Sequence, residues 1–126
     1  MEKKIQIVSG TIRIAARLYD TPTAEAVYKT LPLKAQANTW GDEIYFPIPV
    51  EMLLEKEAKE VVEMGDIGYW PNGQAFCIFF GPTPVSIQDE IRPASAVNVF
   101  GKIGGDPVLL KQISAGSPIT VEQAAP

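Results

Sequence analysis

Histidine is absent from the 126 residues. Without an imidazole the commonest general base and metal ligand is missing, and only carboxylates, hydroxyls and a thiol remain for such work. Ser-His and Cys-His catalysis lack their base and a metal centre is not expected, so the sequence reading assigns no catalytic residue, no metal site and no cofactor. There is one cysteine, Cys77, so no internal disulfide can form. Within Phe76-Cys77-Ile78-Phe79-Phe80 it reads as a small buried hydrophobe rather than a nucleophile. Arginine is missing from the whole stretch between Arg17 and Arg92. The eleven basic residues are scattered, Lys3-Lys4 is the one adjacent pair, and a net charge of −4 leaves no footprint for nucleic acid. No apolar run approaches the ~18 residues of a spanning helix, and Met1 to Ile7 passes into alternation without an extended apolar stretch. No membrane partner is expected, and the cytoplasm is the default location.

What is present describes an ordinary globular chain. With 46% hydrophobic and 21% charged residues, a chain of this length buries about two-thirds of its unfolded surface in a single core. No internal repeat or linker divides it, so one domain is expected over residues 1–126.

The periodicities are mostly those of strands. Ile5, Ile7, Ile12 and Ile14 recur at a spacing of two around Ser9-Gly10, which predicts one strand or two interrupted by a glycine bulge. Thr21 to Leu31 is the best helix: Thr21 or Thr23 can cap it, Ala24, Val27, Tyr28 and Leu31 share a face, and Pro32 stops it. Strands follow over 33–38 and 43–48, the second limited by Pro47 and Pro49, which lack N–H donors. The segment Glu51 to Glu63 reads as strand or short helix, and its carboxylates as a solvated face. Ile67-Gly68-Tyr69-Trp70, the turn Pro71-Asn72-Gly73 and Gln74 to Phe80 form an apolar hairpin. A further strand covers 96–103, Asp106-Pro107 opens a short helix to about Ile113, and Ile119 to Val121 adds a last strand. Many short strands, frequent proline and glycine turns and two short helices predict a closed or nearly closed barrel with the helices over its openings.

Two comparisons sharpen this. Gly65-Asp66-Ile67-Gly68-Tyr69-Trp70-Pro71-Asn72-Gly73 with Ala75 to Pro84, together with Trp40 to Phe46 and Asn98 to Ile103, resembles the cyclophilin-like family of small prokaryotic proteins. The resemblance covers nearly the whole chain and implies a mostly β fold, a closed eight-stranded antiparallel barrel with two short helices. Val97-Asn98-Val99-Phe100-Gly101-Lys102-Ile103 is also similar to the His-Val-Val-Phe-Gly-Lys-Val strand of true cyclophilins. On that register the active-site histidine of cyclophilins falls on Val97, and the tryptophan five residues earlier falls on Arg92. Their catalytic arginine belongs near Glu43-Ile44-Tyr45-Phe46, where this chain has none. A guanidinium aimed at the prolyl nitrogen stabilises the twisted amide, so its loss implies little prolyl isomerase activity.

Candidate ligand-binding residues follow from the apolar hairpin and from this register. Tyr45, Tyr69 and Trp70 are large amphipathic rings able to wall a shallow cleft, with Phe76 and Ile78 beside them. Each has packing in the barrel core as its alternative, which weighs more for Phe76 and Ile78. Gln74 stands near the glutamine of the cyclophilin Gly-Ser-Gln-Phe stretch, displaced by one position. Arg92 can pair with an anionic ligand group or serve as a plain surface arginine. Asp42 and Glu43 are adjacent, so they point to opposite faces and do not form a carboxylate pair; Asp42 reads as a turn residue. The leading expectation is a domain that binds a peptide segment or a small molecule in an aromatic cleft. The alternatives are a prolyl isomerase with a non-standard site and, by fold analogy, a subunit or regulator of an amide-hydrolysing complex.

Overall fold

The computed structural model describes residues 3–124; the outermost residues of the expected 1–126 domain lie outside it. Alternating isoleucines at the start form β1 (Lys3–Ser9) and β2 (Ile12–Leu18). Ser9 pairs with Ile12, so the chain reverses in a two-residue hairpin turn. Of the two readings the sequence allowed, two strands are present, and the glycine bulge expected between them is corrected to a turn. Gly10 has φ of +59°, a conformation open to glycine at little cost, and it turns the chain back rather than bulging it.

The helix α1 (Pro22–Tyr28) begins where Thr21 accepts a hydrogen bond from the Ala24 N–H, with Pro22 in its first turn. Ala24 and Val27 are buried in the barrel interior, and Tyr28 and Leu31 pack against the same cluster. After it come β3 (Leu33–Gln36), β4 (Asn38–Thr39), β5 (Glu43–Pro47), β6 (Asp66–Trp70), β7 (Ala75–Phe79), β8 (Asn98–Ile103) and β9 (Pro118–Gln123). β5 ends at Pro47, where the ladder loses its donor. The second predicted helix is a 3-10 helix over Pro107–Gln112, with Asp106 accepting from the Val108 N–H.

All strand pairs are antiparallel, in the order β3-β9-β1-β2-β8-β6-β7-β5-β4. The two outermost strands are halves of one bent segment, separated by Ala37 alone. β3 pairs with β9 and β4 with β5, while Ala37 donates to the Ser117 carbonyl and accepts from Gly116. The ladder therefore returns on itself as a nearly closed barrel. Among the described residues nine strands are present where eight were expected, and the break at Ala37 accounts for the difference.

Side-chain alternation divides the hydrophobic residues into two bodies. The barrel interior holds Ile5, Ile7, Ile14, Ile44, Phe46, Ile67, Tyr69, Phe76, Ile78, Phe100 and Val121. A smaller cluster of Val62, Ala75, Cys77, Phe79, Ile91 and Val97 lies on the outer face of β5, β6, β7 and β8. Two long connections, 48–65 and 80–97, cover that outer face. They are tied to each other by bridges between Lys59 and Val97 and between Val62 and Ile91.

The first connection contains no regular helix or strand. It is tied down by Asn98, whose side chain accepts from the Glu55 N–H at 2.7 Å and donates to Thr23 Oγ1 at 3.1 Å and the Leu53 carbonyl at 3.0 Å. The Glu55 carboxylate in turn accepts from the Thr23 hydroxyl and N–H. Glu51, Glu57, Glu60 and Glu63 are exposed, whereas Glu55 and Asp66 serve the fold. Asp66 accepts from the Glu63 N–H at 2.8 Å and lies 3.6 Å from Lys102 Nζ. Among the described residues no helix is long and apolar enough to cross a membrane.

Candidate functional site

The outer-face cluster is not completely filled. Above it lies a cavity of about 260 Å³. β5 contributes Glu43 and Tyr45, which alternation places on one side of the strand, and β7 contributes Cys77, the direct cross-strand partner of Tyr45. Trp70 enters from the end of β6 and Trp40 from the turn before β5, while Pro93, Ala94 and Val97 close the far side from the second connection. The chain contains two tryptophans, and both line this cavity.

Each wall is fixed by local chemistry. The Trp70 indole donates to Ser95 Oγ at 2.6 Å, and Asn72 donates to the same oxygen at 3.3 Å. The ring lies over Gly73, where a Cβ would stand 2.5 Å from the indole, so only glycine leaves the ring its present position. Gly73→Ala is expected to displace the indole and shift its fluorescence emission while the far-ultraviolet dichroism stays unchanged. An unaltered emission spectrum would show that the ring does not depend on that gap. The second connection is stapled by Ser86, whose hydroxyl accepts from the Thr83 N–H at 2.9 Å and the Arg92 N–H at 3.0 Å. That staple sets Pro93 and Ala94 beside the cavity.

Glu43 is the one carboxyl in the lining. It is 6% exposed, and burial pushes its pKa from 4.5 up to about 7, partly offset by the Cys77 thiol beside it. The thiol also lies 3.8 Å from the Ala75 carbonyl oxygen; with one hydrogen it serves one acceptor at a time. Burial first, and then the neighbouring Glu43 charge, push the Cys77 thiol well above its ordinary value. Cys77 is 1% exposed, and it should react slowly with thiol reagents at neutral pH, because the thiolate is disfavoured. Modification as fast as that of a free thiol would point to a nucleophile.

The residues singled out from sequence separate by face. Tyr45 and Trp70 line the cavity. Tyr69, Phe76 and Ile78 lie within the barrel interior, each fully buried. The Tyr69 hydroxyl donates to the Val50 carbonyl at 2.6 Å and accepts from the Met52 N–H at 3.2 Å. Gln74 follows the 3-10 turn Pro71–Gly73 with φ of +50°, and its amide donates to the Ile48 carbonyl at 3.2 Å. Arg92 is paired with Glu90 at 2.6 Å and is not part of the lining. Glu43, Trp40, Pro93, Ala94 and Val97 were not among the sequence candidates. The signal for Glu43 was available, since a strand residue two before Tyr45 shares its face. Val97, which the cyclophilin register sets in place of the histidine, stands at the cavity fully buried.

Fold and cavity together define an antiparallel barrel with a covered outer face, and the mostly β antiparallel barrel is the class that the sequence resemblance implied. The chain belongs to the Cyclophilin-like family, whose model matches residues 3–122. No curated protein matches it. Among solved structures it is similar to the hypothetical protein AF2241 from Archaeoglobus fulgidus, with 42% identity, a TM-score of 0.82 and coverage of 98% of this chain and 95% of that one. McbB, solved in complex with tryptophan, shares the fold at 16% identity and a TM-score of 0.70; the match spans 97% of this chain and 45% of McbB.

Proposed function

We propose that this protein is a cytoplasmic ligand-binding barrel that admits a small molecule, or one side chain of a peptide segment, to the outer-face cavity and has little prolyl isomerase activity. The observation that carries this reading is the lining itself. Three half-buried aromatic rings, Trp40, Tyr45 and Trp70, stand around a single desolvated carboxyl. Pockets for small ligands have this make-up, mostly apolar walls with a few placed polar groups. A volume of about 260 Å³ suits a compact group rather than a length of polypeptide.

The lining supplies no guanidinium or ammonium to stabilise a pyramidal prolyl nitrogen. Arg92, the nearest substitute by sequence, is engaged with Glu90. Isomerisation of Xaa-Pro peptides in a protease-coupled assay is therefore expected to stay near the uncatalysed time of about tens to hundreds of seconds at 25 °C. Strong catalysis by the wild type, lost in Arg92→Ala, would instead favour an isomerase with a non-standard site.

A further inference from the structure

We propose that the ligand of this cavity is an organic ammonium ion with a small apolar body, held by Glu43 and the faces of Trp40, Tyr45 and Trp70. This rests on the reading of the cavity as a ligand site and specifies the chemistry of its occupant. Glu43 is buried, yet among the described residues no lysine or arginine forms an ion pair with it. A desolvated carboxylate without a cation is an unfavourable state, relieved by taking up a proton or a positive charge. Three aromatic rings line the same cavity, and the negative π face of such a ring attracts cations and favours ammonium groups in desolvated sites. An anionic ligand finds no matching charge in the lining. A neutral ligand would leave the carboxylate uncompensated.

The groups facing Glu43 give the site a simple pH response. Tyr45 is on its own strand, Cys77 and Phe79 are across on β7, and Trp40 and Asp42 belong to the preceding turn. Pro93, Ala94 and Val97 bring no charge from the covering connection, and Arg92 is held by Glu90. Between pH 6 and 8 the group that changes state is thus Glu43, pushed by burial to about 7. Its ionised fraction rises with pH while an alkylammonium stays protonated, so affinity should increase with pH.

The experiment compares benzylammonium, benzyl alcohol and benzoate as probes, titrated into the full chain and followed through Trp40 and Trp70. Benzylammonium should bind at least about tenfold more tightly than either isostere at pH 8 and weaken about tenfold at pH 6, as protonation of Glu43 requires. In Glu43→Gln, its advantage over benzyl alcohol and the pH dependence should both disappear. Thermal melts of the variant check that it is folded, and the wild-type pH series stands independently of it. Binding of benzyl alcohol or benzoate as tightly as benzylammonium, or an affinity unchanged from pH 6 to 8, would overturn the ammonium assignment and leave the ligand-binding reading intact. No saturable response to any of the three probes would overturn both.

Discussion

Glu43→Gln is expected to melt at a higher temperature than the wild type at pH 8 and at nearly the same temperature near pH 4.5. The folded carboxyl keeps its proton up to about 7, whereas the ordinary value is 4.5. Between those values the folded state binds more protons than the unfolded state, so stability falls as pH rises through this window. Above it the full cost of an ionised, desolvated carboxylate is present. A displacement of this size corresponds to a cost on the order of 3 kcal/mol. Glutamine has nearly the same shape and no charge, and removing the cost should raise the melting temperature by roughly 10 °C for a chain of this size. Melts at half-unit pH steps test it. A variant less stable than the wild type at pH 8, or a difference independent of pH, would mean that Glu43 is not held near neutrality by burial.

Phe76→Ala should act in the opposite sense and for a different reason. The Phe76 ring stacks on Phe46 with centroids 5.0 Å apart and meets Phe100 edge-on at 5.4 Å. It is 0% exposed, so truncation removes buried surface and leaves a hole among rings that cannot all collapse into it. Such truncations cost about 3–5 kcal/mol. Urea unfolding at 25 °C should give that loss with the denaturant slope nearly unchanged. Where the variant is still folded, the outer cavity should keep its response to probes, because Phe76 faces the other side of the sheet. A loss below about 1 kcal/mol would contradict its central place in the interior.

These two substitutions also mark where the sequence could and could not be read. Alternation located the strands, and the Thr21 and Asp106 caps located both helical segments, because each of these signals depends on neighbours in the chain. Facing was harder. Ala75 to Phe79 is buried at every position, since the barrel interior takes one side and the covering connections take the other. Strand geometry sets Phe76 and Ile78 opposite Cys77, but an unbroken apolar run carries no polar alternation to say which of the two faces is the barrel interior. Glu43 was obscured differently, by its place beside Asp42 in a turn signal. It shares its cavity with Pro93, Ala94 and Val97, some fifty residues away in the chain, and local pattern does not reveal such neighbours. Segment 51–63 is held by Asn98 and Thr23 through hydrogen bonds distant in sequence, which is why its own periodicity was ambiguous.

The bent segment that joins β3 to β4 has a bearing on how another chain could be recognised. A peptide is often captured by laying its backbone along an open sheet edge, where unpaired N–H and C=O groups accept it as one more strand. Here the segment spends its backbone groups on β9 at one end and on β5 at the other, and β5 finishes at Pro47, which has no N–H to offer. The described barrel thus has no long hem to which a visitor could be stitched. A peptide meeting this segment would have to be read through what its side chains carry, one group at a time, rather than through the run of its backbone.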